Sequence, residues 1–168
     1  MLKRRLYCGG SFCFDCRQED YIERAASDYR SIILGGAHKL LQKSEGVALR
    51  DGLWYIGPFY FETEGMEDRE IVKSESEMIR SCTDAIFLLD DGLCPGTIAE
   101  LIFASSLQKR IHVFYIKKSG DEETESSLRS PCWYPIILSE QMSEGVSVCA
   151  CSGMDEARNE IKTLIESL

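Results

Sequence analysis

The chain has 168 residues, 44% of them apolar and 28% charged, with four prolines and a formal net charge of −9. Those figures predict one globular domain over 1–168, with a core large enough to need neither disulfides nor a structural metal, and they exclude a disordered or collagen-like chain. With 28 acidic residues against 19 basic ones and no basic stripe, nucleic acid is excluded as a partner. No window reaches the ~18 apolar residues of a membrane span. The start Met1-Leu2-Lys3-Arg4-Arg5 runs into a short apolar strand and not into a signal-peptide core, so a cytoplasmic protein without a membrane partner is expected.

In chain order, Leu6-Tyr7-Cys8 predicts a short strand ending in Gly9-Gly10. From Tyr21 onward, Ile22, Ala25, Ala26, Tyr29, Ile32, Ile33, Leu40 and Leu41 recur at helical spacing, and Gly35-Gly36 marks a break or a close backbone approach. Residues 53–56 predict a second strand stopped by Gly57-Pro58, and an acidic stretch over 62–70 leads into a helix over about 71–82. The unbroken apolar run 85–89, bounded by Asp84 and Asp90, fits a parallel strand buried on both faces. Gly96-Thr97 opens a helix to about Gln108, and 111–116 is another strand. Residues 119–130 read as a solvated loop, either 135–138 or 146–150 supplies a fifth strand, and Met154, Ala157, Ile161, Leu164, Ile165 and Leu168 line one face of a last helix. The alternation predicts an α/β fold: a flavodoxin-like three-layer sandwich on a five-stranded parallel sheet in the order 2-1-3-4-5. Ligands of such a sheet sit beyond the carboxyl ends of the strands, where strand order reverses, so the loops starting at Gly9, Gly57 and Asp90 open onto the crevice.

The eight cysteines, Cys8, Cys13, Cys16, Cys82, Cys94, Cys132, Cys149 and Cys151, invite a redox or metal reading. Cys13 and Cys16 have C-x-x-C spacing, but Asp15, Glu19 and Asp20 surround them with negative charge, which opposes a reactive thiolate. Cys149-Ala150-Cys151 is too closely spaced for the second half of a zinc site, and Cys8 with Cys13 and Cys16 reproduces only the spacing of an iron-sulfur motif. Small apolar thiols in a reducing cell are expected, with no metal and no cofactor.

No G-x-S-x-G, P-loop, G-x-G-x-x-G or H-E-x-x-H signature is present, and His38 and His112 lack partners at catalytic spacing. Acid-base chemistry then falls to carboxylates. On a helical wheel Glu75 lies among Ile71, Met78, Ile79 and Cys82, where a charge must be partnered or face a polar cavity. Glu100 follows the most buried strand, and two readings stand: Thr97-x-x-Glu100 is a capping box, or Glu100 is an ionised crevice carboxylate able to act as a nucleophile. Gly96 beside Pro95 lets backbone approach a ligand. Gly9-Gly10-Ser11 can bind a phosphate through backbone amides or simply turn tightly. Phe12, Phe14, Trp54, Phe59 and Tyr60 can stack a base or fill the core.

These residues together resemble the nucleoside 2-deoxyribosyltransferase family. The likeness rests on Leu6-Tyr7-Cys8-Gly9-Gly10, on Glu75-Ser76-Glu77-Met78-Ile79 and on Gly96-Thr97-Ile98-Ala99-Glu100, and covers most of 5–116. The resemblance implies an enzyme that moves or hydrolyses the N-glycosidic bond of 2-deoxynucleosides in nucleotide salvage, working as a homo-oligomer on a nucleoside or nucleotide without a cofactor. It assigns Glu100 as the nucleophile, Tyr7 as the hydroxyl that orients it and Glu75 as the acid at the leaving base. Gly9, Gly10, Ser11, Phe12, Phe59, Asp90, Cys94 and Gly96 are then expected around the substrate. Cys94 stands where many family transferases carry Asp, and Glu75 where Asp is usual. The alternatives are a deoxynucleoside monophosphate N-glycosidase and a non-catalytic nucleotide-binding module.

Overall fold

The computed structural model describes residues 3–10, 18–42, 44–59, 67–90, 94–117 and 133–168. Strands β1 (Arg4–Gly9), β2 (Val47–Arg50), β3 (Leu53–Gly57), β4 (Asp84–Leu89), β5 (Arg110–Ile116) and β6 (Val146–Cys151) form one sheet in the order β2-β3-β1-β4-β5-β6. All neighbours are parallel except β2 and β3. Helices α1 (Gln18–Ser27), α2 (Tyr29–Leu34), α3 (Ala37–Leu40) and α7 (Met154–Ser167) cover one face, while α4 (Asp68–Ser81), α5 (Pro95–Ser106) and α6 (Trp133–Met142) cover the other.

Side-chain alternation divides the core. Leu6, Cys8, Tyr55, Ile86, Leu88 and Phe114 point toward α1–α3 and α7, whereas Tyr7, Ile56, Ala85, Phe87, Ile111 and Val113 point toward α4–α6. Every residue of β4 is buried, as its unbroken apolar run requires of a central strand.

The predicted sheet is corrected, and the choice left open for its last strand is resolved. The sheet is mixed and six-stranded, not five-stranded and parallel, because Val47–Arg50 folds back on β3 through Asp51-Gly52, a two-residue hairpin with Gly52 at φ 78°. The order 2-1-3-4-5 therefore gains an antiparallel edge strand ahead of it. Residues 135–138 belong to α6, not to a strand, and β6 is supplied by Val146–Cys151. Gly35-Gly36 ends a helix: Gly35 is the left-handed C-cap of α2, its amide bonded to Ile32.

At the amino end of the sheet Asp84, 1% exposed, accepts from Arg4 Nη2 at 2.6 Å and Nε at 3.1 Å, from Arg110 Nη1 at 3.3 Å and from Thr83 Oγ1 at 2.7 Å. Burial pushes its carboxyl up, but these partners outweigh it and hold the group below the usual aspartate range. A depressed native pKa adds stability above the unfolded value of about 4, lost as pH falls through the lower native value. Asp84→Asn is accordingly expected to lower stability by about 3 kcal/mol at pH 7 and much less at pH 2, measured by urea unfolding.

Candidate active site

Strand order reverses at β1, whose neighbours are β3 and β4, so the carboxyl ends of β1 and β4 flank the topological switch point. Gly9 closes β1 in register with Phe87 of β4. A Cβ on Gly9 would lie 2.4 Å from Phe87 Cδ1 and 3.0 Å from Glu100 Oε2, so the bare glycine backbone is what lets ring and carboxylate approach. One strand over, Gly57 sits at φ 138°, and a Cβ there would meet Met78 Sδ at 2.4 Å. This second glycine seats α4, which carries Glu75, against the end of β3.

Helix α4 presents Val72, Glu75, Ser76 and Ile79, and α5 presents Gly96, Ala99, Glu100 and Phe103, to a shared cleft of about 200 Å3. Each set has the i, i+3, i+4, i+7 spacing of one helix face. Glu75 and Glu100 thus occupy matching positions across a seam widened by Gly96, Ala99 and Ser76.

The capping-box reading of Thr97 and Glu100 is not realised. Pro95 begins α5 and Cys94 is its N-cap, without a side-chain bond, which leaves Thr97 buried at N3 and Glu100 at N6. At N6 the carboxylate is past the reach of the helix dipole, which fades within the first turn. The expectation of a readily ionised crevice carboxylate is corrected accordingly: burial, and next the neighbouring charge of Glu75, push the Glu100 carboxyl up to about 7, against the opposing pull of Tyr7 and Arg30. Burial also raises Glu75, with Arg30 opposing. Tyr7 is fully buried and packs on Phe87 at 6.1 Å between ring centroids. Burial, then the charges of Glu100 and Glu75, lift its phenol far above its ordinary value. The phenol acts on the Glu100 carboxylate, yet among the described residues its hydroxyl closes no hydrogen bond of ordinary geometry.

The remaining candidates divide. Gly9 and Gly10 are buried at the tip of β1, Gly96 lines the cleft, Cys94 stands at the head of α5 and Asp90 ends the β4 segment, half-buried. Phe59 is buried edge-on against Tyr55 at 5.1 Å and lines a different, larger cleft of about 820 Å3 on the other flank of α4, together with Trp54 and Met78. That cleft carries Glu45 and Glu77 beside Lys3 and Arg5, not Glu75 and Glu100. Ser11 and Phe12, with Cys13, Phe14, Cys16 and Tyr60, lie outside the described residues. Cys8, Cys82 and Cys151 are buried, and burial pushes the Cys82 thiol up to about 11. No group of three or more His, Cys, Asp or Glu side chains gathers to hold a metal among the described residues, and no helix there is long and apolar enough to cross a membrane.

Sequence reasoning missed Arg30. It is 1% exposed at the start of α2, paired with Asp28 through Nε–Oδ1 at 2.8 Å and Nη2–Oδ2 at 2.6 Å. An arginine two residues after an N-cap aspartate reads as a solvated helix start, and no periodicity marks it as buried. Phe103 was legible in retrospect from the i, i+3, i+4, i+7 set that begins at Gly96.

No known protein family matches the chain. No curated protein matches it in sequence. Among solved structures, the CMP N-glycosidase BcmB of Clostridium botulinum is similar over 96% of this chain and 99% of its own, at 15% identity and a TM-score of 0.52. A mutation variant of SsGBP is similar over 99% of this chain and 56% of its own, at 12% identity and a TM-score of 0.47. At 15% identity the likeness to BcmB is one of fold.

Proposed function

We propose that the chain is an enzyme cleaving the N-glycosidic bond of a 2-deoxynucleoside or its monophosphate, with the sugar carried on Glu100. The observation that carries this reading is the pair of half-buried carboxyls, Glu75 and Glu100, that line one cleft, with the buried Tyr7 beside them at the switch point. A fold shared with a CMP N-glycosidase supports the same reaction class.

Glu100 attacks C1′ as the C1′–N bond breaks through an oxocarbenium-like transition state, and the bonding pair leaves with the base nitrogen. Glu75 gives its proton to that nitrogen. Water then attacks C1′, yielding its proton to the Glu75 carboxylate, and Glu100 departs unchanged. Transfer to a second base differs only in the acceptor. Cys94, where a transferase aspartate is usual, favours water.

The reactive state holds one proton between the two carboxyls. Because the last proton leaves near pH 7, kcat/KM is expected to fall tenfold per pH unit above about 7. A rate constant flat from pH 6 to 9 would refute the shared proton. The reaction itself is tested by incubating the protein with deoxyinosine, deoxycytidine and their 5′-monophosphates, with and without free adenine, and separating the bases. Free base is expected, and a slow 2-fluorinated analogue should leave an adduct on the peptide bearing Glu100. No base from any substrate would leave the non-catalytic nucleotide-binding module as the better reading.

A further inference from the structure

The tip of β1 is held from both sides of the sheet. On one side Glu100 Oε2 comes within 3.0 Å of where a Gly9 Cβ would stand. On the other, Arg30 Nη1 donates to the Cys8 carbonyl at 3.2 Å and Tyr29 Oη donates to the Gly9 carbonyl at 2.7 Å. Arg30 Nη1 and Nη2 both lie 3.8 Å from the Cβ position of Gly10. The guanidinium is oriented by Asp28, whose carboxylate also accepts the Arg30 amide at 2.8 Å, so the ion pair is anchored to the first turn of α2. Keeping an ion pair in the interior is a poor route to stability, since its desolvation is repaid only when every bond is well made. Its placement under the strand end that carries Tyr7 gives it another use.

We infer that Arg30 is a positioning residue for the Glu100 site: by clamping the Cys8 carbonyl it fixes the Gly9 backbone against which Tyr7 and the Glu100 carboxylate meet, and it brings a buried positive charge to that junction. The inference rests on the glycosidase reading for its consequence in rate, while its consequence in charge stands apart from that reading, on the placement of Arg30 under the tip of β1. The groups acting on Glu100 are Glu75 and Tyr7, with Arg30 opposing Glu75. Among the described residues, Asp28, Tyr29 and Tyr55 act on Arg30. Arg30 is, among those residues, a cation whose field reaches Tyr7, Glu75 and Glu100 alike.

Two variants separate the fork from the charge. Arg30→Lys keeps the charge but cannot bind Asp28 and the Cys8 carbonyl as a planar fork. Asp28→Asn with Arg30→Met removes both charges, leaves no lone ion buried and keeps an N-cap. The first readout is 13C NMR of protein labelled at the glutamate carboxyls, with the Glu100 signal identified from its loss in Glu100→Gln, together with the Tyr7 ring signals. The Glu100 midpoint, near 7 in the unaltered chain, is expected to rise in the double variant, because Arg30 is among the charges that act on it, and to stay close to its original value in Arg30→Lys. The Tyr7 signals are expected to move in both. The second readout is base release, where kcat falls at least about tenfold in each variant while KM stays within about threefold. Folded variants, checked by far-ultraviolet circular dichroism, that keep the original Glu100 midpoint in the double variant or the original Tyr7 signals and kcat in Arg30→Lys would overturn the inference. If the double variant does not fold, Arg30→Lys decides through Tyr7 and kcat. If the unaltered protein releases no base, the glycosidase reading falls, and the NMR signals alone decide on Arg30.

Discussion

Glu100→Gln is expected to lower kcat by at least about 1,000-fold while leaving a folded protein that is more stable than the parent at pH 8. The loss follows from the role proposed for the carboxylate: an amide oxygen is too weak a nucleophile to bond to C1′, and no other described carboxylate in the cleft stands at the tip of β1. The gain in stability follows from the environment. A glutamate whose native pKa is raised to about 7, against about 4.3 unfolded, leaves the folded state at a disadvantage as pH rises from 4 toward 7. Glutamine has nothing to ionise, so the variant avoids that loss, by up to about 3 kcal/mol at pH 8 and by nothing at pH 4. Denaturant unfolding at both pH values, with the base-release assay, measures each half separately. A variant with near-parental kcat would remove Glu100 from the chemistry. Equal stability at pH 8 would show instead that the carboxyl is well solvated.

Gly9→Ala is the second large effect, and it acts by sterics alone. The added methyl would stand 2.4 and 2.5 Å from Phe87 Cδ1 and Cε1, well inside contact distance, and 3.0 Å from Glu100 Oε2. Phe87 is fully buried in the central strand beside Tyr7 and has no free volume to turn into. Overpacking of this kind costs about 1–3 kcal/mol. Displacing the ring also displaces the phenol and carboxylate it packs beside, so kcat is expected to fall at least tenfold. Combining Gly9→Ala with Phe87→Leu relieves the ring contact but not the one to Glu100. Urea unfolding should therefore show stability partly restored while kcat stays low. Full recovery of both would place the constraint on the ring and not on the carboxylate.

Much of the architecture was written in local pattern. The apolar run 85–89 is a buried strand because no polar side chain interrupts it, and β4 is that strand. The helical stripes before and after it likewise became α4 and α5, with ends shifted by one to three residues. The edge strand Val47–Arg50 went unread because it is half exposed and only four residues long, although Asp51-Gly52 is a hairpin signal. Helix α6 went unread because Ile136, Ile137 and Leu138 are consecutive, which blurs the period that separates helix from strand.

The paired carboxyls show the same division. Helical spacing alone put Glu75 on an inward stripe, because side-chain direction is set by 3.6 residues per turn. Whether Glu100 caps its helix or faces a cleft was beyond the sequence. That depended on Pro95 starting α5 two residues before Thr97, and on Gly9 leaving room for the carboxylate beneath β1. Local periodicity thus determined which way β4, α4 and α5 turn, but not the stripe before them, where Ile22, Ala26 and Ile32 at helical spacing are exposed. The proton affinity of Glu100, the burial of Arg30 and the separation of Phe59 from the cleft were decided by the tertiary structure, because desolvation and charge-charge coupling depend on distances between segments that are remote in the chain.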